Sequence, residues 1–226
     1  WTQISGSLGD DIFRFDPIEP GKVANLLDLL QLTWFDFYDQ EFLAHAMPIR
    51  IFLAETVQLQ VSEFDWGTWD YILSWKDIYA RYLDNQIAIS NVDKNITEMS
   101  AEEKREYKSN LQSVFLESLV ASATIVAPDE FIAISDYSNN VDDTEEARNA
   151  GFVLNPTMDY EWSIDGNMTE SNDLNAYLAS LVFRTAKEWE DDLQYPLVKQ
   201  KYDILVSWLK TEYGIDIVKI GNTIYE

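Results

Sequence analysis

A chain of 226 residues with 46% apolar and 14% aromatic side chains has enough apolar surface for a large core, which excludes a disordered chain. Its formal charge of −24 and pI near 4.1 argue against nucleic acid and against an anionic membrane surface, both of which need clustered Lys and Arg. The absence of cysteine removes disulfides, thiolate metal sites and a cysteine nucleophile, and no apolar run approaches the ~18–20 residues of a membrane span. The carboxylates read mostly as a solvated surface, with calcium binding by a few of them as the sharper alternative.

In chain order, Trp1 opens the sequence with no basic or apolar leader, which reads as a processed or truncated start. Residues 1–20 carry Gly6, Gly9, Pro17 and Pro20 and read as loop with one candidate strand around Ile12 and Phe13. Val23, Leu26, Leu27 and Leu30 repeat at helical spacing over 22–32, and a second helix is expected over 34–47, stopping before Pro48. Ile49, Ile51 and Leu53 alternate with Arg50 and Phe52, which predicts a strand over 49–59. After Gly67, the spacing of Ile72, Trp75, Tyr79 and Tyr82 predicts a helix over 69–83, followed by a short strand over 85–90.

Ser100 and Glu103 have the form of a capping box, opening a helix expected to run to about Ala127. Pro128 then begins a short helix, and "DDTEEARNAG" reads as an acidic helix closed by Gly151. Two long amphipathic helices are expected over 171–193 and 196–214, with Gly214 as a C-cap. These elements make one domain, 1–226, with an α/β portion over 1–95 and a helical portion over 96–226. The fold class is α+β, mainly helical, with a small N-terminal sheet.

Several clusters could carry chemistry. His45, the single histidine, stands one turn after Glu41, and such a pair can share a metal if further ligands join. Gln40 replaces the first histidine of an H-E-x-x-H pattern, and His45 is displaced by one residue, about 100° around the helix. An ordinary helical histidine is the plainer reading. "DGNMTESND" sets Asp165, Asn167, Thr169, Ser171 and Asp173 at alternate positions like a calcium loop. Its sixth position is Glu170 where the loop needs glycine, and its twelfth is Ala176 where it needs a bidentate glutamate, so a turn into a helix N-cap is preferred. Trp66 and Trp69 interleave with Asp65 and Asp70, a mixture common in sugar sites, although core packing with one or two exposed tryptophans is simpler. With 40 acidic residues, no spacing singles out a glycosidase pair, and no G-x-S-x-G, phosphate-binding or dinucleotide fingerprint is present.

The last 120 or so residues carry an order of motifs. "APDEFIAIS" is followed by "ARNAGFVLNPTMDYEWS" (147–163), "ESNDLNAYLASLVF" (170–183) and "KYDILVSWLKTEYGIDIVKI" (201–220). That order resembles a family of Bacteroidetes lipoproteins classed as zinc metallopeptidases and encoded beside outer-membrane import systems of the starch-utilisation type. The family pattern runs from a helical H-E-F-x-H through a Pro-led helix, an A-x-x-x-GF[VI] segment, a Tyr-rich loop and a D-F-x-E helix to a terminal "yGID".

The resemblance implies a zincin-like fold and places the H-E-x-x-H on L-E-S-L-V. Leu116 and Val120 then stand for the two histidines, Glu117 for the general base, and Asp173 and Ala176 for the acids of D-F-x-E. Leucine, valine and alanine offer zinc no lone pair, so the implied protein is a degenerate member with no metal or other cofactor and no catalytic residue. On a helical projection Leu116 and Val120 merge with Leu111, Phe115, Leu119 and Ala123, while Glu117 joins a narrow sector with Ser113 and Thr124.

By the same resemblance the chain is a non-catalytic lipoprotein of the outer-membrane surface or periplasm, anchored on a cysteine upstream of Trp1. Its partners would be an outer-membrane import complex and a glycan or peptide ligand; from residue type alone, and outside the resemblance, Trp66, Trp69, Asp65 and Asp70 are the candidate ligand-binding residues. The alternatives are a hydrolase with a carboxylate-bound metal, using Glu117, Asp173 and Glu170, and a purely structural partner of the import complex.

Overall fold

The computed structural model describes residues 2–5, 12–92, 94–138, 141, 143–157 and 168–225. The architecture is mixed α+β, and the chain forms two compact units, one of Trp1–Leu32 with Pro48–Met99 and one of Thr33–Met47 with Ser100–Glu226. Among the described residues, no helix is long and apolar enough to cross a membrane.

The first unit is built on β1 (Thr2–Ser5), β2 (Ile12–Pro17), helix α1 (Val23–Thr33), which runs to its boundary, and then β3 (Arg50–Asp65), β4 (Asp70–Ile78), β5 (Ala80–Leu83) and β6 (Gln86–Ser90). The sheet order among the described residues is β1-β2-β3-β6-β5, and β4 pairs with the far half of β3. β3 and β6 run parallel, and the other pairings are antiparallel. β2 alternates buried Phe13 and Phe15 with half-buried neighbours, as a strand with one face on a core requires. Those rings pack with Ala54, Val57 and Ala88. Ala54 and Val57 differ in parity, and they share one core because the pairing with β2 slips between Asp16 and Pro17.

The helix expected over 69–83 is instead β4 and β5. Ile72, Trp75, Tyr79 and Tyr82 satisfy helical spacing, but Tyr71, Leu73 and Trp75 equally satisfy a period of two. A turn decides between them. The Trp69 N–H donates to the Asp65 carbonyl at 2.8 Å, and Trp69 takes φ 56°. The Asp65 carboxylate accepts from the Gly67 N–H and the Thr68 hydroxyl, each at 2.8 Å, and this closes a hairpin between β3 and β4. A second tight turn, Asp84–Asn85 at φ 43° and 61°, returns β5 to β6. The strand predicted over 49–59 therefore continues to Asp65.

The second unit begins with a 3-10 turn and α2 (Gln40–Ala46), which Asp39 caps by accepting from the Phe42 N–H at 2.6 Å. It continues with α3 (Ala101–Ala121), α4 (Asp129–Ile132), α5 (Thr144–Asn149), α6 (Glu170–Phe183), α7 (Pro196–Tyr213) and α8 (Ile217–Asn222). The capping box forms as read: Ser100 Oγ accepts from the Glu103 N–H, and the Glu103 carboxylate accepts from the Ser100 N–H. α3 stops at Ala121, six residues short of expectation. Ala123 enters the left-handed region at φ 54°, and the N–H groups of Thr124 and Ile125 fold back onto the Leu119 carbonyl. Gly214 closes α7 at φ 69°, as its position predicts. α6 ends at Phe183, ten residues before expectation. Glu188 holds the following turn by accepting from the Thr185 N–H at 2.6 Å.

Candidate functional site

The site begins on α3, whose Leu111, Phe115, Leu116 and Leu119 are buried while Val120 is half-buried. Leu116 is thus an ordinary core residue. Val120, one turn on, lines an open cleft of about 210 Å³ with Ile125, Val126, Ile132, Leu174 and Glu170. α3, the segment after it, α4 and the first turn of α6 form that cleft. Thr169 starts α6 by accepting from the Asn172 N–H at 3.1 Å, and this sets exposed Glu170 at the cleft lip. Glu117 is half-buried on the flank of α3 with Ser113 buried one turn before it, whereas Thr124 lies past the end of the helix and leaves the predicted sector.

One turn into α6 the chemistry changes. Asp173 is 0% exposed, and its Oδ2 accepts from the Lys201 ammonium at 2.6 Å and from the Tyr137 hydroxyl at 2.7 Å. Lys201, on α7, is also 0% exposed. Its nitrogen lies 4.7 Å from the ring centres of both Phe131 and Phe152, 5.3 Å from Tyr137 and 5.8 Å from Tyr177. Desolvation pushes the Asp173 carboxyl up against the pull of Lys201, and desolvation pushes the ammonium down. It also pushes the Tyr137 phenol up, so that hydroxyl remains a donor. Asp173 Oδ1 finds no hydrogen-bond partner among the described residues. Sequence reasoning missed Lys201 and Tyr137. The signal for Lys201 was present: it occupies the apolar phase of α7, in step with buried Val198, Leu205 and Leu209.

These residues do not fit a zinc ion. Leu116, Val120 and Ala176 carry no donor atom, and Asp173 already faces a cation of the chain itself. Among the described residues, no three His, Asp or Glu side chains lie close enough to hold a metal. His45 is exposed, and its Nδ1–H donates to the Glu41 carbonyl at 2.8 Å, so that nitrogen serves its own helix. Of the calcium-like loop, Asp165 and Asn167 lie outside the described residues, Thr169 caps α6, and Asp173 is held by Lys201.

In the first unit, Trp66, Trp69, Asp65 and Asp70 do come together, at the apex of the β3–β4 hairpin. Trp66 and Trp69 are each 74% exposed, with ring centres 5.9 Å apart and planes at 76°. Phe64 meets Trp66 at 5.0 Å and Tyr71 at 5.2 Å. The Gly67 N–H and Thr68 hydroxyl hold the Asp65 carboxyl below the usual carboxylate range.

The mixed α+β fold has a likeness among solved structures. The chain is similar to a crystal structure described as "a putative zinc-binding metallo-peptidase from Bacteroides caccae", with a TM-score of 0.54 and 15% identity over 91% of this chain and 76% of that one. At that identity the likeness shows the fold. No family model matches the sequence, and no curated protein matches it.

Proposed function

We propose that this chain is a non-catalytic, zincin-like binding module that descends from a metallopeptidase scaffold and captures polysaccharide or peptide nutrients at the cell envelope. The observation that carries this reading is the replacement of the implied ligand set: Leu116 is core, Val120 lines an apolar cleft, and the Lys201 ammonium holds Asp173. A cleft that presents aliphatic side chains with one acid at its lip suits an apolar segment of a bound chain better than hydrolysis, which needs a polarising group and an activated water. The reading also takes the protein to be a lipid-anchored partner of an outer-membrane import complex, in line with the motif order from residue 127 onward. A carboxylate-metal hydrolase is not favoured, because Asp173 is engaged and Glu170 stands exposed at the cleft lip.

The test combines metal analysis of protein purified without chelator with peptidase and glycosidase assays of the wild type and Glu117→Gln. Substoichiometric zinc and no turnover are expected. One tightly held zinc per chain, or a hydrolytic activity lost in Glu117→Gln, would overturn the non-catalytic reading. For capture, Val120→Arg should abolish binding of any ligand retained from a peptide and oligosaccharide panel.

A further inference from the structure

The β3–β4 hairpin presents an apolar ribbon that stays largely exposed among the described residues of its own unit. The register pairs Phe64 with Tyr71, Ser62 with Leu73, Gln60 with Trp75 and Gln58 with Asp77, so these side chains share one face. Val57 belongs to the opposite parity and is buried in the core, so the Phe64–Trp75 face is turned away from that core. On it Tyr71 and Leu73 are mostly exposed, and Trp66 and Trp69 extend it past the apex. A run of large exposed rings of this kind marks an interaction surface.

The base of the same face shows which chemistry it accepts. The Arg14 guanidinium lies 4.0 Å from the centre of the Trp75 ring, and its Nε donates to Gln58 at 2.8 Å. Gln58 in turn donates to Asp77 at 2.6 Å. That is a cation on an aromatic face with a carboxylate behind it. Towards the apex the rings and the acids recur without the cation. Residues 62–75 contain Glu63, Asp65 and Asp70 and no Lys or Arg. None of those three acids forms an ion pair among the described residues, and no Lys or Arg there lies over Phe64, Trp66, Trp69 or Tyr71. The acids sit on the reverse of a two-stranded ribbon, so they give the apex a negative potential and leave the rings open.

We propose that the hairpin apex docks an extended segment of a partner protein that carries Arg or Lys among apolar residues, its cations stacked on the Trp66, Trp69 and Tyr71 rings. Charge complementarity selects this occupant. A second copy would bring an apex of the same negative sign against this one, and a bilayer would have to receive that negative apex at its interface. A polysaccharide stacks best on coplanar rings, whereas Trp66 and Trp69 stand nearly perpendicular. The site is independent of the cleft beside Val120 and stands or falls separately from it.

The test titrates the whole protein with a short peptide alternating arginine and leucine, with its glutamate–leucine counterpart, with soluble β-glucan oligosaccharides and with phosphatidylcholine vesicles. The arginine peptide is expected to bind, with affinity that falls as salt rises. Trp66→Ala/Trp69→Ala should weaken it at least about tenfold while leaving the net charge and cooperative thermal unfolding intact. Asp70→Lys/Glu63→Lys, which retains the rings, should abolish binding. An arginine peptide that binds the tryptophan variant as well as the wild type would reveal mere attraction to an acidic protein and overturn the proposal. So would tryptophan-dependent binding of the oligosaccharides or vesicles, or tryptophan-dependent self-association.

Discussion

Lys201 Nζ stands 2.6 Å from Asp173 Oδ2 with both side chains sealed from solvent, so neither charge can be removed without stranding the other. A single deletion at such a pair costs about 3–5 kcal/mol, while replacing both with apolar groups of similar volume is often close to neutral. Lys201→Met and Asp173→Leu should each destabilise on that scale in urea unfolding, and the double variant should recover most of the loss. Strictly additive costs in the double-mutant cycle would show that the two residues do not act as a pair. Tyr137→Phe removes one donor to the carboxylate and should cost about 1 kcal/mol.

Gly221 lies where α8 meets the end of α6, and a Cβ there would overlap the carbonyl oxygens of Leu181 and Arg184. Both obstacles are backbone, so the strain cannot be relieved by turning a side chain. Neighbouring contacts fix α8 further: the Lys108 ammonium donates to the Ile220 carbonyl at 2.5 Å, and the Ala186 N–H donates to Asn222 Oδ1 at 2.8 Å. Gly221→Ala should therefore cost about 3 kcal/mol, read as a lowered urea midpoint with an unchanged slope. An alanine variant as stable as the wild type would mean that α8 can shift outward freely.

How much of this was legible beforehand depended on whether the signal was local. The Ser100/Glu103 box, the Gly214 cap and the strand running into β3 are written in neighbouring residues, and they formed as read. The hairpin was lost because Ile72, Trp75, Tyr79 and Tyr82 also fit a helix, and the deciding feature was a turn closed by the Asp65 carboxylate. The end of α3 was missed because alanine, not glycine, takes the left-handed position at 123. For the site, sequence placed Leu116 and Val120 on the inward arc, and Leu116 is core. The Lys201–Asp173–Tyr137 cluster joins three distant segments, a pairing that local spacing does not encode.

The acid limb of stability should report Glu188. Its carboxylate accepts from Arg105 at 2.7 and 2.9 Å and from the Thr185 N–H and hydroxyl, and chiefly the Arg105 bond pulls its pKa down to about 2 from 4.5. A carboxyl with a lower pKa when folded stabilises the fold fully above the unfolded value. That contribution disappears as pH falls from about 4.5 towards 2. Glu188 is partly exposed, so the effect is screened and should shrink with salt. Glu188→Gln should flatten the stability profile across that window. An identical acid limb in the variant would assign the proton uptake elsewhere.

Restoring histidines at 116 and 120 should not restore a metal site. Leu116 is fully buried, and an imidazole there would lie among Phe115, Leu119 and their apolar neighbours with no designed partner, at a cost of about 2–4 kcal/mol. Val120 faces the cleft, so Val120→His alone should be tolerated within about 1 kcal/mol. Even with both imidazoles present, Ala176 offers no donor, and Asp173 remains turned to Lys201. Zinc binding only the folded double variant would raise its melting temperature with metal concentration, as mass action requires. The expected result is a melting temperature below the wild type and unmoved by zinc. A zinc-dependent rise would show that the scaffold still presents a third ligand, and the argument that Asp173 and Ala176 cannot complete a metal site would then fail.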